Sequence, residues 1–500
     1  MALVHRINSN FGFVLNTLYC KCTTNIKRFV TEHNVMRYCN QVDKHTNYEP
    51  FDQMIKFRQN EAKKSIIVRL SNMKHISEFE RFCKNYVTVV NIFPYYTANN
   101  NVTVFKTDVE CAQSVTPLFS FRLRNKIYLD KPKENISIYS NFKAPTPNKI
   151  DKLLKQASDQ MIALYDCLKI TDLDIRLRFY TATEISYYLS RLFPNICVVP
   201  FGSSVNGFGQ IGCDLDLLCK TIVSSNTKMV SMKKNEQKEF LEAVGTVMKI
   251  CIPGISDIRK ILEARVPIIK FCNLYTNMKC DLSSTNLIAL HMSELLYTYG
   301  QLDWRIKPLV CTIRKWARVM NLTKEQPGHW ITNFSLTLLI IFYLQTKDIL
   351  PSVNTIKCFN SVRRTNDEDL HNLLFNFFEY YSIFDFKTQA ICIRNGRCKP
   401  KNDFSPLYIH NPFNSTLNVS KNVTSCELTR LVDCFQKAFN TMLNSAEKDV
   451  ILKLVNLEAK TKNTNCGFNN QKTQIGLEEK LLPTVTNINS LKKIQGNIIK

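Results

Sequence analysis

Residues 201–219 read FGSSVNGFGQIGCDLDLLC, a run that joins a small-residue turn to two carboxylates one residue apart. It follows the apolar residues Ile196, Val198 and Val199, so Gly202 stands where an extended segment must turn sharply. Backbone N–H groups of such a turn, with the Ser203 and Ser204 hydroxyls, can face phosphate oxygens. Asp214, Leu215 and Asp216 lie in a second apolar run. As a strand, that run puts both carboxylates on one face, their Cα atoms roughly 6–7 Å apart, while Leu215 points into a core. Two anions this close repel each other unless cations lie between them. A pair of divalent ions about 3.5–4 Å apart would satisfy both and would clamp an in-line phosphoryl displacement.

A third acid extends the pattern. Asp281 sits in the apolar stretch MKCDL (residues 278–282), where an isolated carboxylate is costly to bury without a cation or donor. A metal shared with Asp214 and Asp216 is the simplest partner. Residues 265–271 (RVPIIKF) and 278–282 read as paired strands joined by the NLYTN turn. Residues 239–250 have helical spacing, and the serine- and lysine-rich stretch 220–238 reads as a loop. From Leu287 the period is helical through about Val455. The resulting division is a leader and linker over 1–60, a small module over 61–130, a catalytic domain over 150–285, a helical domain over 286–455 and a poorly packed tail over 456–500.

Five hundred residues exceed one ordinary core, and a 45% hydrophobic content can fill two or three. The net charge of +24 calls for a polyanionic partner, with nucleic acid first and anionic membranes or acidic proteins behind it. Nineteen cysteines without CxxC pairs, among them Cys213, Cys280 and Cys311 in apolar stretches, read as reduced core thiols and not as zinc ligands or a disulfide frame. The longest apolar run, residues 334–344, is too short to span a bilayer and reads as a buried helix, so no transmembrane segment is expected. Residues 1–31 carry Arg6, Lys21, Lys27 and Arg28 among apolar residues and no acid, the chemistry of a mitochondrial transit peptide; the alternative is an ordinary basic terminus. Strand-like runs at 65–70, 86–93 and 101–105, with a helix-like HISEFERFCKN between the first two, suggest a β-α-β-β RNA-recognition-like module. It lacks the aromatic string of a sequence reader, which favours a scaffold or dimerisation role.

Taken together, FGSSVNGFGQIGCDLDLLC, RVPIIKF, CDLSSTNLIAL and SELLYTYGQLDWRIKPLVCTIRKWARVMNLT resemble DNA-polymerase-β-like nucleotidyltransferases of the noncanonical poly(A) polymerase group. WITNFSLTLLIIFYLQ and PLYIHNPFNSTLNVSKNV are most similar to the mitochondrial branch of that group. The match covers roughly residues 150–440. It implies an α+β fold: a nucleotidyltransferase palm with a mixed sheet, a helical central domain and the small N-terminal module.

The resemblance also implies that Asp214, Asp216 and Asp281 hold two Mg²⁺ or Mn²⁺ ions and that an RNA 3′-hydroxyl attacks the α-phosphate of ATP. Gly202 and Ser203 would meet the triphosphate. Arg314 and Arg318, four apart on one helix, would face its β- and γ-phosphates; many relatives have lysine at the first, and the alternative is an amphipathic helix with a solvated basic face. Asn333 and Phe334 match a polar residue and a base-stacking aromatic, with core packing as the alternative for Phe334. Asn286 matches a ribose contact, or else caps the helix beginning near Leu287. The stretch containing Asn411, Pro412 and Phe413 resembles the nucleotide-recognition loop, and Leu417 stands where uridine-preferring relatives often carry histidine. The expected activity is template-independent polyadenylation of RNA 3′ ends in the mitochondrial matrix by a homodimer. Its rivals are uridylyl or other nucleotidyl transfer and, in another class, a non-catalytic RNA-binding scaffold.

Overall fold

A computed structural model of the chain describes residues 49–70, 81, 89–96, 101–107, 156–193, 195–221, 234–284, 287–326, 328–356 and 366–455. The basic leader over 1–31, most of the stretch between the first two N-terminal strands, the centre of the basic loop and the tail lie outside these residues.

The described chain begins with helix α1 (Phe51–Lys63), in a stretch read from the sequence as the junction of linker and module. Three strands follow, β1 (Ser65–Leu70), β2 (Val89–Tyr96) and β3 (Asn101–Thr107), in an antiparallel sheet ordered β1-β3-β2. Helix α2 (Ala157–Leu168) then leads to α3 (Asp172–Ser190), whose start is fixed by a reciprocal cap between Thr171 and Asp174. Arg176 of α3 anchors the N-terminal elements: it lies 2.6 Å from Glu61 of α1 and stacks 4.9 Å from the Phe93 ring of β2.

The central sheet has five strands: β4 (Ile196–Phe201), β5 (Leu215–Thr221), β6 (Ile255–Ile261), β7 (Ile268–Asn273) and β8 (Met278–Ser283), in the order β4-β5-β8-β7-β6. Only β5 and β8 run parallel, so the sheet is mixed. The expected β7–β8 pairing is present, and β6, which had no counterpart in the sequence reading, forms an edge. Alternation explains the layering. Leu215, Leu217, Cys219, Ile269, Phe271, Cys280 and Leu282 point to one face and are buried against α3 and helix α4 (Lys234–Cys251) through Ile185, Leu189, Leu241, Val244 and Met248. Burying each such large aliphatic chain contributes about 1.5–3 kcal/mol, which pins the register. The residues between them, Asp216, Lys270 and Asp281, are thereby turned to the opposite face.

Beyond the sheet come α5 (Leu287–Leu302), α6 (Ile306–Val319), α7 (Asn333–Thr346), α8 (Leu370–Ser382), α9 (Ser425–Leu443) and α10 (Glu447–Val455). They share a second core centred on Trp316, which stacks on Phe435 at 5.5 Å, and α7 is the buried helix its apolar run predicts. The helical reading fails over residues 389–400. There strands β9 (Gln389–Cys392) and β10 (Arg397–Pro400) form a hairpin whose turn ends on Gly396 at φ +67°, a conformation that favours glycine. No described helix is long and apolar enough to cross a membrane. The described cysteines are free thiols; Cys280 and Cys311 are buried as expected, whereas Cys213 is only half-buried because it lies in the turn before β5.

Candidate active site

Gly202 opens a single 3₁₀ turn (Gly202–Ser204) between β4 and the carboxylate segment, with φ at +68°. A Cβ there would lie 2.6 Å from Asp216 Oδ2, so glycine answers two demands at once: the left-handed backbone and the close approach of a carboxylate. The Gly202 N–H donates to Ser293 Oγ of α5 at 2.7 Å. Ser203 is half-buried and its hydroxyl donates to Cys213 Sγ at 3.4 Å. The turn is tied to the acids by Arg178, a buried residue of α3. Its Nη1 donates to Ser204 Oγ at 2.8 Å and to the Asp214 carbonyl at 3.0 Å, and its Nη2 donates to the Cys213 carbonyl at 2.6 Å.

Register brings two of the acids side by side. Asp216 of β5 is the direct partner of Asp281 on the parallel strand β8, and Asp214 precedes β5 by one residue at the exposed end. Burial together with the neighbouring Asp281 and Asp214 pushes the Asp216 carboxyl up to about 7, against the pull of Arg178 and Lys270. Asp214 is also raised, by burial and by Asp281. Asp216 and Asp214 thus keep their charge against burial and against the neighbouring acids. One cation is built in: Lys270 of β7, the register partner of Asp281, lies 2.5 Å from Asp281 Oδ2. The donors are hard carboxylate oxygens, the set preferred by Mg²⁺ and Mn²⁺. Asp281 is turned to Lys270, and no three acid, His or Cys groups among the described residues close into a metal cage.

The other expected contacts fall out differently. Arg314 does not present a free guanidinium. Its Nε and Nη2 donate to Thr337 Oγ1 at 3.0 and 2.6 Å, its Nη1 donates to the Phe208 carbonyl at 2.7 Å, and burial lowers its pKa to about 10. Arg318 is exposed and pairs with Glu325 at 2.9 Å; Glu325 is close enough to Asp214 to raise its pKa, so Arg318 borders the acids through that residue. Asn333 is the exposed first residue of α7, and Phe334 packs half-buried on the helical core. Asn286 lies outside the described residues. Asn411 is buried and its Oδ1 accepts from the Phe413 and Asn414 amides at 2.9 and 3.1 Å, which closes the loop on itself. Phe413 meets His291 of α5 with ring centroids 5.7 Å apart. Helix α5 therefore touches both the glycine turn, through Ser293, and the distant loop, through His291.

Sequence reasoning missed Arg178, Lys270 and Ser293. Lys270 carried a signal, as the polar residue in an alternating RVPIIKF strand; Arg178 and Ser293 are ordinary members of helical patterns until the fold sets them beside the turn.

Residues 157–301 match the family model described as the central palm domain of mitochondrial-like poly(A) RNA polymerase, and residues 369–419 match that of the Cid1 family of poly(A) polymerases. The mitochondrial poly(A) RNA polymerase of Drosophila melanogaster is 32% identical over 456 residues, covering 77% of this chain and 74% of the relative. That of Homo sapiens is 33% identical over 438 residues, covering 77% and 75%. The crystal structure of mtPAP in complex with ATPγS superposes with a TM-score of 0.70 at 29% identity, covering 82% of this chain and 99% of that one; mtPAP has also been solved with UTP, CTP and GTP.

Proposed function

This chain belongs to the noncanonical poly(A) polymerases, as a nucleotidyltransferase of the mitochondrial-like group, and from that premise we propose that it adds adenylate from ATP to RNA 3′ ends, with Asp214, Asp216 and Asp281 as the catalytic carboxylates. The observation that carries the reading is the direct register of Asp216 with Asp281 beneath a glycine turn that admits no Cβ.

In the proposed reaction the RNA 3′-hydroxyl releases its proton to solvent and its oxygen forms a bond to the α-phosphorus of ATP as the bond from that phosphorus to the α,β-bridging oxygen breaks, and pyrophosphate departs. Divalent ions, when held by the three aspartates, supply the positive charge that activates the 3′-oxygen and stabilises the leaving pyrophosphate. The chain's own residues do the positioning. Within the turn from Gly202 to Ser204, where Ser293 takes the Gly202 N–H and Arg178 holds the buried Ser204, half-buried Ser203 is the candidate contact for the triphosphate. Arg178 holds that turn to the Asp214 backbone, so phosphate seat and carboxylates move as one unit. Lys270 keeps the Asp281 carboxylate compensated and oriented. Arg318, exposed and paired with Glu325, is the cation assigned to the outer phosphates, which it would meet by exchanging Glu325 for them. Arg314 supports the segment through the Phe208 carbonyl.

The base would lie toward the loop of Asn411 to Phe413, where Leu417 favours ATP over UTP. Adenylate addition and a mitochondrial location are parts of the same proposal, supported by the names of the mitochondrial poly(A) relatives and, for location, by the basic composition of residues 1–31; the matrix and a homodimeric form rest on the family resemblance alone. Purified protein incubated with a labelled RNA primer and each nucleotide separately, with mass analysis of the product, tests activity and donor together. Extension with ATP is expected; a preference for UTP would overturn the donor assignment. Undiminished extension by Asp216→Ala would overturn the carboxylate mechanism.

A further inference from the structure

The sheet face that carries the acids continues past them as a row of cations. In register the row runs Asp216, Asp281, Lys270, Arg259, one residue from each of β5, β8, β7 and β6. Residues directly opposite share a face, and strand spacing of about 4.8 Å sets Arg259 roughly 10 Å from Asp281. Lys279, two residues before Asp281 on β8, joins the same face and is exposed; it and Lys270 both act on Asp214.

The opposite face carries cations of another kind. Lys260 is held by Glu242, and Lys238, on the helix covering that face, is held by Glu263. Arg259 is exposed and, among the described residues, has no ion pair, although the acidic Asp257 lies two residues away on the strand's irregular turn. Lysine and arginine directly opposite on antiparallel strands repel, so the pair Lys270–Arg259 is unfavourable unless an anion lies across it. Asp281 compensates only the Lys270 end.

We infer that Arg259, Lys270 and Lys279 seat consecutive backbone phosphates of the RNA primer just upstream of its 3′ end. This rests on the proposed function, because it needs the 3′-hydroxyl at the aspartates. Charge complementarity and continuity with the acids select the occupant. A flexible phosphodiester backbone can lie along a row of long cationic side chains without any base being read.

The test uses the full chain. Binding of a labelled single-stranded RNA primer is measured by fluorescence anisotropy across a salt series for wild type, Arg259→Gln, Lys279→Gln, the double variant and, as a remote control, Lys437→Gln on the exposed face of α9. Each lost phosphate contact should lower the logarithmic salt slope by about 0.7, which weakens binding about fivefold near 0.1 M salt. The double variant should lose about 25-fold, the KM for ATP should not change, and the control should match wild type. If wild type extends primers with ATP but the strip variants keep wild-type affinity and slope, the inference is overturned and the polymerase reading stands. If wild type extends no RNA with any nucleotide, the polymerase reading itself fails.

Discussion

Substituting Gly202 by alanine makes two costs separable. The first is conformational: an L-residue held at φ +68° loses about 1–2 kcal/mol relative to glycine. The second is steric and local, because the new Cβ would stand 2.6 Å from Asp216 Oδ2, and the carboxylate must retreat by about 0.8 Å to reach ordinary contact at 3.4 Å. A shift of about 1 Å in a positioned catalytic group costs on the order of 10² in rate. Gly396 in the β9–β10 turn is the matched control. Its φ is +67°, but an added Cβ would meet Ser352 Cβ at 3.4 Å, an ordinary contact. Both alanine variants should therefore lose about 1–2 kcal/mol in denaturant unfolding. Only Gly202→Ala should lose primer extension, by about 10² under single-turnover conditions with saturating ATP. Equal extension by the two variants would refute the assignment of Gly202 as the residue that lets Asp216 close on the turn.

Two further outcomes follow from buried groups. Glu184 of α3 accepts from Asn273 Nδ2 at 3.0 Å, and burial pushes its carboxyl up to about 7. The folded state then binds this proton more tightly than the unfolded chain, so stability is undiminished below pH 4.5 and falls as pH rises through 7. Glu184→Gln keeps the acceptor and removes the charge; it should add about 1–3 kcal/mol at pH 8 and nothing at pH 4, and an equal gain at both would contradict the assignment. Arg178→Lys replaces a planar fork by a single ammonium that cannot span Ser204 and the carbonyls of Cys213 and Asp214. Extension should fall about tenfold or more with a loss of about 1–3 kcal/mol in stability, and wild-type extension would remove Arg178 from the positioning machinery.

Much of the palm was legible because its strands repeat every two residues. The alternation in LDLLC, IIKFC and MKCDL is enough to sort buried from exposed positions, and the small-residue turn before the D-x-D pair marks where chain direction changes. The hairpin over 389–400 was misread because short strands inside a helical domain give too few repeats to outvote their surroundings. Arg314 shows a different limit. Its spacing from Arg318 places both on one side of a helix, yet spacing is silent about Thr337 and the Phe208 carbonyl, which accept from each of the three Arg314 nitrogens.

By itself, then, the sequence determined the reaction class the site can serve: a glycine turn, two aspartates one residue apart and a third in another apolar strand. Only the tertiary structure decided which groups meet them. Asp216 faces Asp281 because a parallel pairing of β5 with β8 sets their register, and Lys270 and Arg259 extend the row because β7 and β6 follow in that order. Ser293 reaches Gly202 from 91 residues away. Periodicity is a property of neighbours along the chain, whereas register, strand order and cross-chain hydrogen bonds are chosen by how whole faces bury together.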